Sequence, residues 1–93
     1  MTIGILKLSL FIPESQSLKE RRMVLHSLKA RLRNRFNVAL AQIDGEDKWQ
    51  RAVLAVVSVE KDRRNVDSQL CRVVNFVENF DSVNLVDYET ELI

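Results

Sequence analysis

From Ile3 to Ile12 the chain alternates with a period of two, the signature of a strand with two unlike faces. Gly4, Leu6, Leu8, Leu10 and Ile12 point one way and form a wholly apolar set, which should face a core. Ile3, Ile5, Lys7, Ser9 and Phe11 point the other way, toward a more open surface. Pro13 stops the strand, because it has no amide hydrogen for a ladder. Ser17-Leu18-Lys19-Glu20 then reads as a capping box that opens a helix running to about Asn34. Within it Leu18, Leu25, Leu28 and Leu32 share one face. A second strand is expected over Phe36 to Ile43, a polar loop from Asp44-Gly45, and a third strand over Arg51 to Glu60. Asp62 is placed to cap a second helix whose Val66, Leu70, Val73, Val77 and Phe80 share a face. Asp81-Ser82 breaks it, and Val83 to Leu92 is a last strand.

The resulting order, β-α-β-β-α-β, is that of the ferredoxin-like α+β sandwich. Right-handed crossovers and the central hairpin predict a four-stranded antiparallel sheet, strand order 4-1-3-2, with both helices on one face. Residues 1–93 make a single domain. The composition, 46% hydrophobic and 29% charged with two Gly and one Pro, is that of a folded globular domain and excludes a low-complexity or disordered chain. No apolar run is long enough for a membrane span or a signal-peptide core. A lone Cys71 and a lone His26 make neither a disulfide nor a zinc cluster, and a reducing cytoplasm is the expected compartment. No metal and no cofactor is expected.

Charge changes the picture more than composition does. Residues 1–35 carry eight Lys or Arg against two Glu, whereas residues 36–93 are net acidic. Lys19, Arg22, His26, Lys29 and Arg33 follow one another at steps of three and four, so they form a stripe on the first helix beside its leucines. His26 adds a charge to that stripe only when protonated. No acid interrupts it. Two readings stand: a solvated face whose last cations serve the helix dipole, or a row of phosphate contacts for RNA. Arg21 sits nearer the leucines, where its stem could lie along the core.

Three ordered runs carry a family resemblance: Ile12-Pro13 with Ser17-Leu18-Lys19-Glu20-Arg21-Arg22, then Arg31-Leu32-Arg33-Asn34-Arg35-Phe36-Asn37-Val38, then Asp47-Lys48-Trp49-Gln50-Arg51-Ala52. Together they resemble the YlxP-like family of small bacterial proteins over nearly the whole chain. Some members have an acidic residue where Gln42 stands here. The family has no established activity and lends no catalytic residues. Its genes tend to lie among those for a transcription antitermination factor, a translation initiation factor and ribosome-binding factor A, which implies a partner in RNA or ribosome metabolism.

Sheet-based reading of single-stranded RNA needs aromatics on the first and third strands, and only Phe11 answers that need. RNA contact should therefore be backbone-directed and weakly selective. The open sheet face is expected to expose Ile5, Phe11, Leu54 and Val56 among Lys7, Ser9 and Ser58, a patch suited to a second copy of the chain. A free strand edge is an alternative route to a homodimer. An enzyme is not expected. Acylphosphatases share this chain order, but their phosphate loop is glycine-rich and Pro13-Glu14-Ser15-Gln16 has no glycine. No nucleophile has a visible base, so no small-molecule substrate is evident. Asp44, Glu46 and Asp47 read as a solvated turn, and Trp49 as a packing anchor. Membrane binding by the basic helix fails because its apolar face is needed for the core.

Overall fold

In a computed structural model, which describes residues 1–13, 17–44 and 50–93, strands and helices follow the expected order. They are β1 (Thr2–Phe11), α1 (Leu18–Arg35), β2 (Ala39–Asp44), β3 (Arg51–Glu60), α2 (Arg63–Glu78) and β4 (Asn84–Leu92). The four strands form one antiparallel sheet in the order β2-β3-β1-β4, as the ferredoxin-like pattern requires. β1 pairs with β3 from Thr2–Glu60 to Phe11–Arg51 without a break. The pairings on the sheet's edges are less regular. Val86 of β4 and Ile43 of β2 fall at register shifts and are exposed. Such bulges twist a free edge away from further pairing.

The helix ends follow local chemistry. Ser17 Oγ accepts from the Glu20 amide at 3.1 Å, so the serine is the N-cap of α1. At the other end the Phe36 amide donates to the Leu32 carbonyl at 3.0 Å. That makes Phe36 the C-cap, and β2 begins three residues later than the apolar pattern suggests. Asp62 occupies the N-cap position of α2, but its side chain makes no capping bond there.

The core lies between the sheet and the helices. Gly4, Leu6, Leu8, Leu10 and Ile12 of the first strand segment are all buried, as their alternation implies. They meet Leu25, Leu28 and Leu32 of α1 and Val66, Leu70, Val73 and Val77 of α2. Gly4 has a specific task. A Cβ there would collide with Val66 Cγ1 and lie 2.7 Å from Leu70 Cδ1, so the missing side chain lets α2 settle onto β1.

On β3 the structure reverses the expected faces. Leu54 and Val56 are fully buried, because they stand opposite Leu8 and Leu6, and directly opposed residues share a face. Ser58 is buried with them, opposite Gly4. The open face of β3 is instead Val53, Ala55, Val57 and Val59. Ile5 and Phe11 do lie on the open face, as expected.

Ser58 is not an error in an apolar core. Gln69 of α2 donates from Nε2 to Ser58 Oγ at 3.1 Å and to the Asn37 carbonyl at 3.3 Å. This pair ties α2 to β3 and to the segment before β2. Gly4→Ala should cost about 1–3 kcal/mol, the usual toll of overpacking, and lower the melting midpoint by several degrees. A wild-type melting curve would contradict the tight packing at that site. Gln69→Leu should cost about 1–2 kcal/mol by stranding the Ser58 hydroxyl, and Ser58→Ala in the same chain should recover part of it. A double-mutant cycle measured by urea unfolding reads that coupling directly.

Candidate nucleic-acid interface

α1 packs its leucines inward and so presents two flanks of different chemistry. Lys19, Arg22, His26 and Arg33 are exposed on one flank, and Lys29 is half-buried among them. At about 1.5 Å per residue, the row from Lys19 to Arg33 spans roughly 21 Å. All five expected residues therefore lie along one line. Arg33 also donates from Nη2 to the Leu40 carbonyl at 3.3 Å, which places the C-terminal end of the row beside β2. Arg21 lies off this row. It is 2% exposed, and its Nε donates to the Arg51 carbonyl at 3.4 Å, so it belongs to the interior.

The opposite flank of α1 faces α2 across a groove of about 910 Å³. Arg31 and Arg35, one turn apart, reach over an aromatic row formed by Phe36, Phe76 and Phe80. The Arg31 guanidinium lies 5.6 Å from the Phe80 ring centre, and that of Arg35 lies 5.9 and 5.5 Å from those of Phe36 and Phe76. The rings pack on one another in turn, with Phe36 and Phe76 edge to face at 6.0 Å. Arg72 enters the lining from α2, with Asn75 on the same helix and Asn79 at its C-cap. Spacing along α1 alone does not reveal this site. Its signal was the Arg31–Arg35 spacing beside three phenylalanines, but the two halves come from different helices.

The sheet's outer surface is apolar at its centre and acidic at one margin. Ile3 stands opposite Val59 and Ile5 opposite Val57, with Val57 and Val59 36% and 48% exposed. On β4 the open-face positions are Asp87, Glu89 and Glu91, and Glu89 faces Lys7 across the ladder. The acidic second half of the sequence thus places one row of charge on the sheet layer, while α1 carries the basic half on the helix layer.

Among the described residues no three His, Cys, Asp or Glu side chains gather into a metal-binding set. Cys71 is exposed and free. Glu46, Asp47, Trp49 and the segment Glu14-Ser15-Gln16 lie outside the described residues, so the readings made of them rest on sequence. No helix among the described residues is long and apolar enough to cross a membrane.

The chain is similar to one known protein in sequence and to another in fold alone. The chain is 33% identical over 89 residues to "Uncharacterized protein YlxP" of Bacillus subtilis (strain 168), covering 96% of this chain and 97% of the relative. The de novo designed protein Foldit4 matches with a TM-score of 0.54 at 8% identity, over 100% of this chain and 97% of that one. SnoaB, a cofactor-independent oxygenase from Streptomyces nogalater, gives a TM-score of 0.48 at 14% identity, over 99% of this chain and 90% of that one. At 8% identity the designed protein shows a likeness of fold alone. The relationship to YlxP is one of sequence as well, and the model of the family described as "Protein of unknown function (DUF503)" matches residues 3–90, so the chain belongs to that family.

Proposed function

We propose that this protein acts by binding rather than by catalysis, and that it holds RNA or an RNA-containing assembly such as the ribosome through the outer flank of α1. The observation that carries this reading is the row Lys19, Arg22, His26, Lys29 and Arg33, uninterrupted by any acid and open to solvent at four of its five positions. Solvated helix faces commonly alternate charges to avoid the repulsion that such a row accepts. A polyanion relieves that repulsion, because each phosphate it brings neutralises one side chain and releases a counterion. Phosphate contacts position a nucleic acid without reading its bases, so binding is weakly selective. The cytoplasm is the compartment in which this partner and a free Cys71 fit together.

A second reading, self-association, is favoured by the open sheet face. Ile3, Ile5, Val53, Val57 and Val59 form a continuous apolar strip that neither helix covers. With strands about 4.8 Å apart and about 3.3 Å of length per residue, the whole outer face of the sheet, its acidic β4 margin included, presents on the order of 550 Å² per copy, near the lower limit for a stable interface. A second copy of the chain carries the same strip and so matches it in polarity.

The two readings separate experimentally. If four cations each neutralise a phosphate, log affinity against log salt should fall with a slope of about −3.6 on duplex nucleic acid, and less steeply on single strands. Replacing Arg22 and Lys29 by Glu should flatten the slope and weaken every sequence alike, leaving the oligomeric state unchanged. Affinity independent of salt, or none at low salt, would overturn the RNA reading. For the sheet face, sedimentation at high micromolar concentration should show a dimer that Val57→Lys converts to monomer. A wild-type monomer throughout that range would exclude the second copy.

A further inference from the structure

The groove between α1 and α2 is a separate feature, about half a turn around α1 from the outer row at about 100° per residue. We infer that it is a nucleotide-binding site in which Arg31, Arg35 and Arg72 hold the phosphate. The inference does not depend on the outer flank binding RNA.

Three observations carry it. The first is like charge facing like charge. Arg72 on α2 lines the same groove as Arg31 and Arg35 on α1, and the lining contains a single carboxylate, Asp81, in the segment after α2. Three guanidiniums lining one space repel one another, and an anion between them relieves that repulsion. The dipole of α1 accounts for Arg35 in its last turn, but not for Arg72 in the body of α2.

The second observation is pre-organisation. Arg31 and Arg35 lie within 6 Å of phenylalanine ring centres, which orients the planar guanidiniums before any ligand arrives. A guanidinium restrained by such a contact retains N–H donors for paired hydrogen bonds to phosphate oxygens. Donors from two helices approach a tetrahedral anion from more than one side, a better match than a planar carboxylate offers.

The third observation is size. A phosphate ion alone would leave most of 910 Å³ empty, and a volume of this order is that of a site for a small organic ligand. Ser27, Asn75 and Asn79 add neutral polar groups along the walls. A nucleotide supplies both the phosphate for the arginines and a sugar and base for the remaining space. It could arrive free or as one unit of an RNA strand, and the shared chemistry is the phosphate ester.

The test is amide chemical-shift titration of the full chain at low salt with adenosine monophosphate, with adenosine, and with a short single-stranded oligouridylate. Adenosine monophosphate should give saturable shifts within residues 27–36 and 69–82, while adenosine, which lacks the phosphate, should give none. Arg72→Gln replaces an exposed residue and should weaken the binding at least tenfold, with Arg31→Gln as a second variant. The Arg22→Gln/Lys29→Gln variant should leave adenosine monophosphate binding unchanged while weakening the oligouridylate. Shifts from the oligouridylate in the groove but none from adenosine monophosphate would assign the site to a strand rather than a free nucleotide. The inference is overturned if neither phosphate-bearing probe perturbs the groove, if adenosine binds as well as its monophosphate, or if Arg72→Gln has no effect. Oligouridylate binding that depends on the outer flank alone would then leave the RNA reading standing without the groove.

Discussion

β1 is the reference to which the rest of the molecule is aligned. It is bonded to β3 on one side and to β4 on the other, and its inward set meets the core. Because side chains alternate strictly, fixing the pleat of this strand fixes the face of every residue opposite it. Gly4 extends that control to the helix layer. With no Cβ in the way, Val66 and Leu70 come down onto β1, and α2 takes its position across the sheet. The place of the groove between the helices is thus partly decided by a glycine on a strand. A residue that contributes almost no apolar area sets the spacing of the layers.

The elements with one apolar face were legible in the sequence, and those with two were not. β1 has a leucine set and a mixed set, so its inward face could be read directly and is buried as expected. α1 has a single leucine stripe and a serine at its cap, and both its start and its buried face follow from them. β3 is apolar on both sides, and its interior set includes Ala52 and Ser58 while its exterior set is rich in valine. Nothing within such a strand distinguishes inside from outside; the register against β1 decides, and that register is a tertiary fact. For this reason Leu54 and Val56 were expected on the surface and are in the core.

The candidate sites divide along the same line. The outer row depends only on the repeat of one helix, so spacing alone placed Lys19, Arg22, His26, Lys29 and Arg33 together. The groove depends on α1 and α2 lying side by side, and no count along the chain brings Arg72 to Arg31. The buried Gln69 illustrates the same point. Its position on α2 reads as an ordinary polar residue, and only the packed structure joins it to Ser58 and Asn37.

Charge separation gives the molecule a consistent polarity. The carboxylates of β4 lie on the outer face of the sheet, whereas the cations of α1 lie on the helix layer along both of its flanks. An approaching polyanion is therefore drawn to one layer and repelled by the margin of the other, an orienting effect that needs no base contact. The near-neutral total of +1 conceals this, because opposite charges that cancel in a sum do not cancel in space. The apolar strip of the sheet is left on the far layer from the cations. Pairing two copies through that strip would keep both basic helices outward and would double the number of phosphate contacts available to one strand or one folded RNA. The two proposed readings are then compatible, since a dimer formed on the sheet would give two weak helical sites a combined strength that neither would have alone.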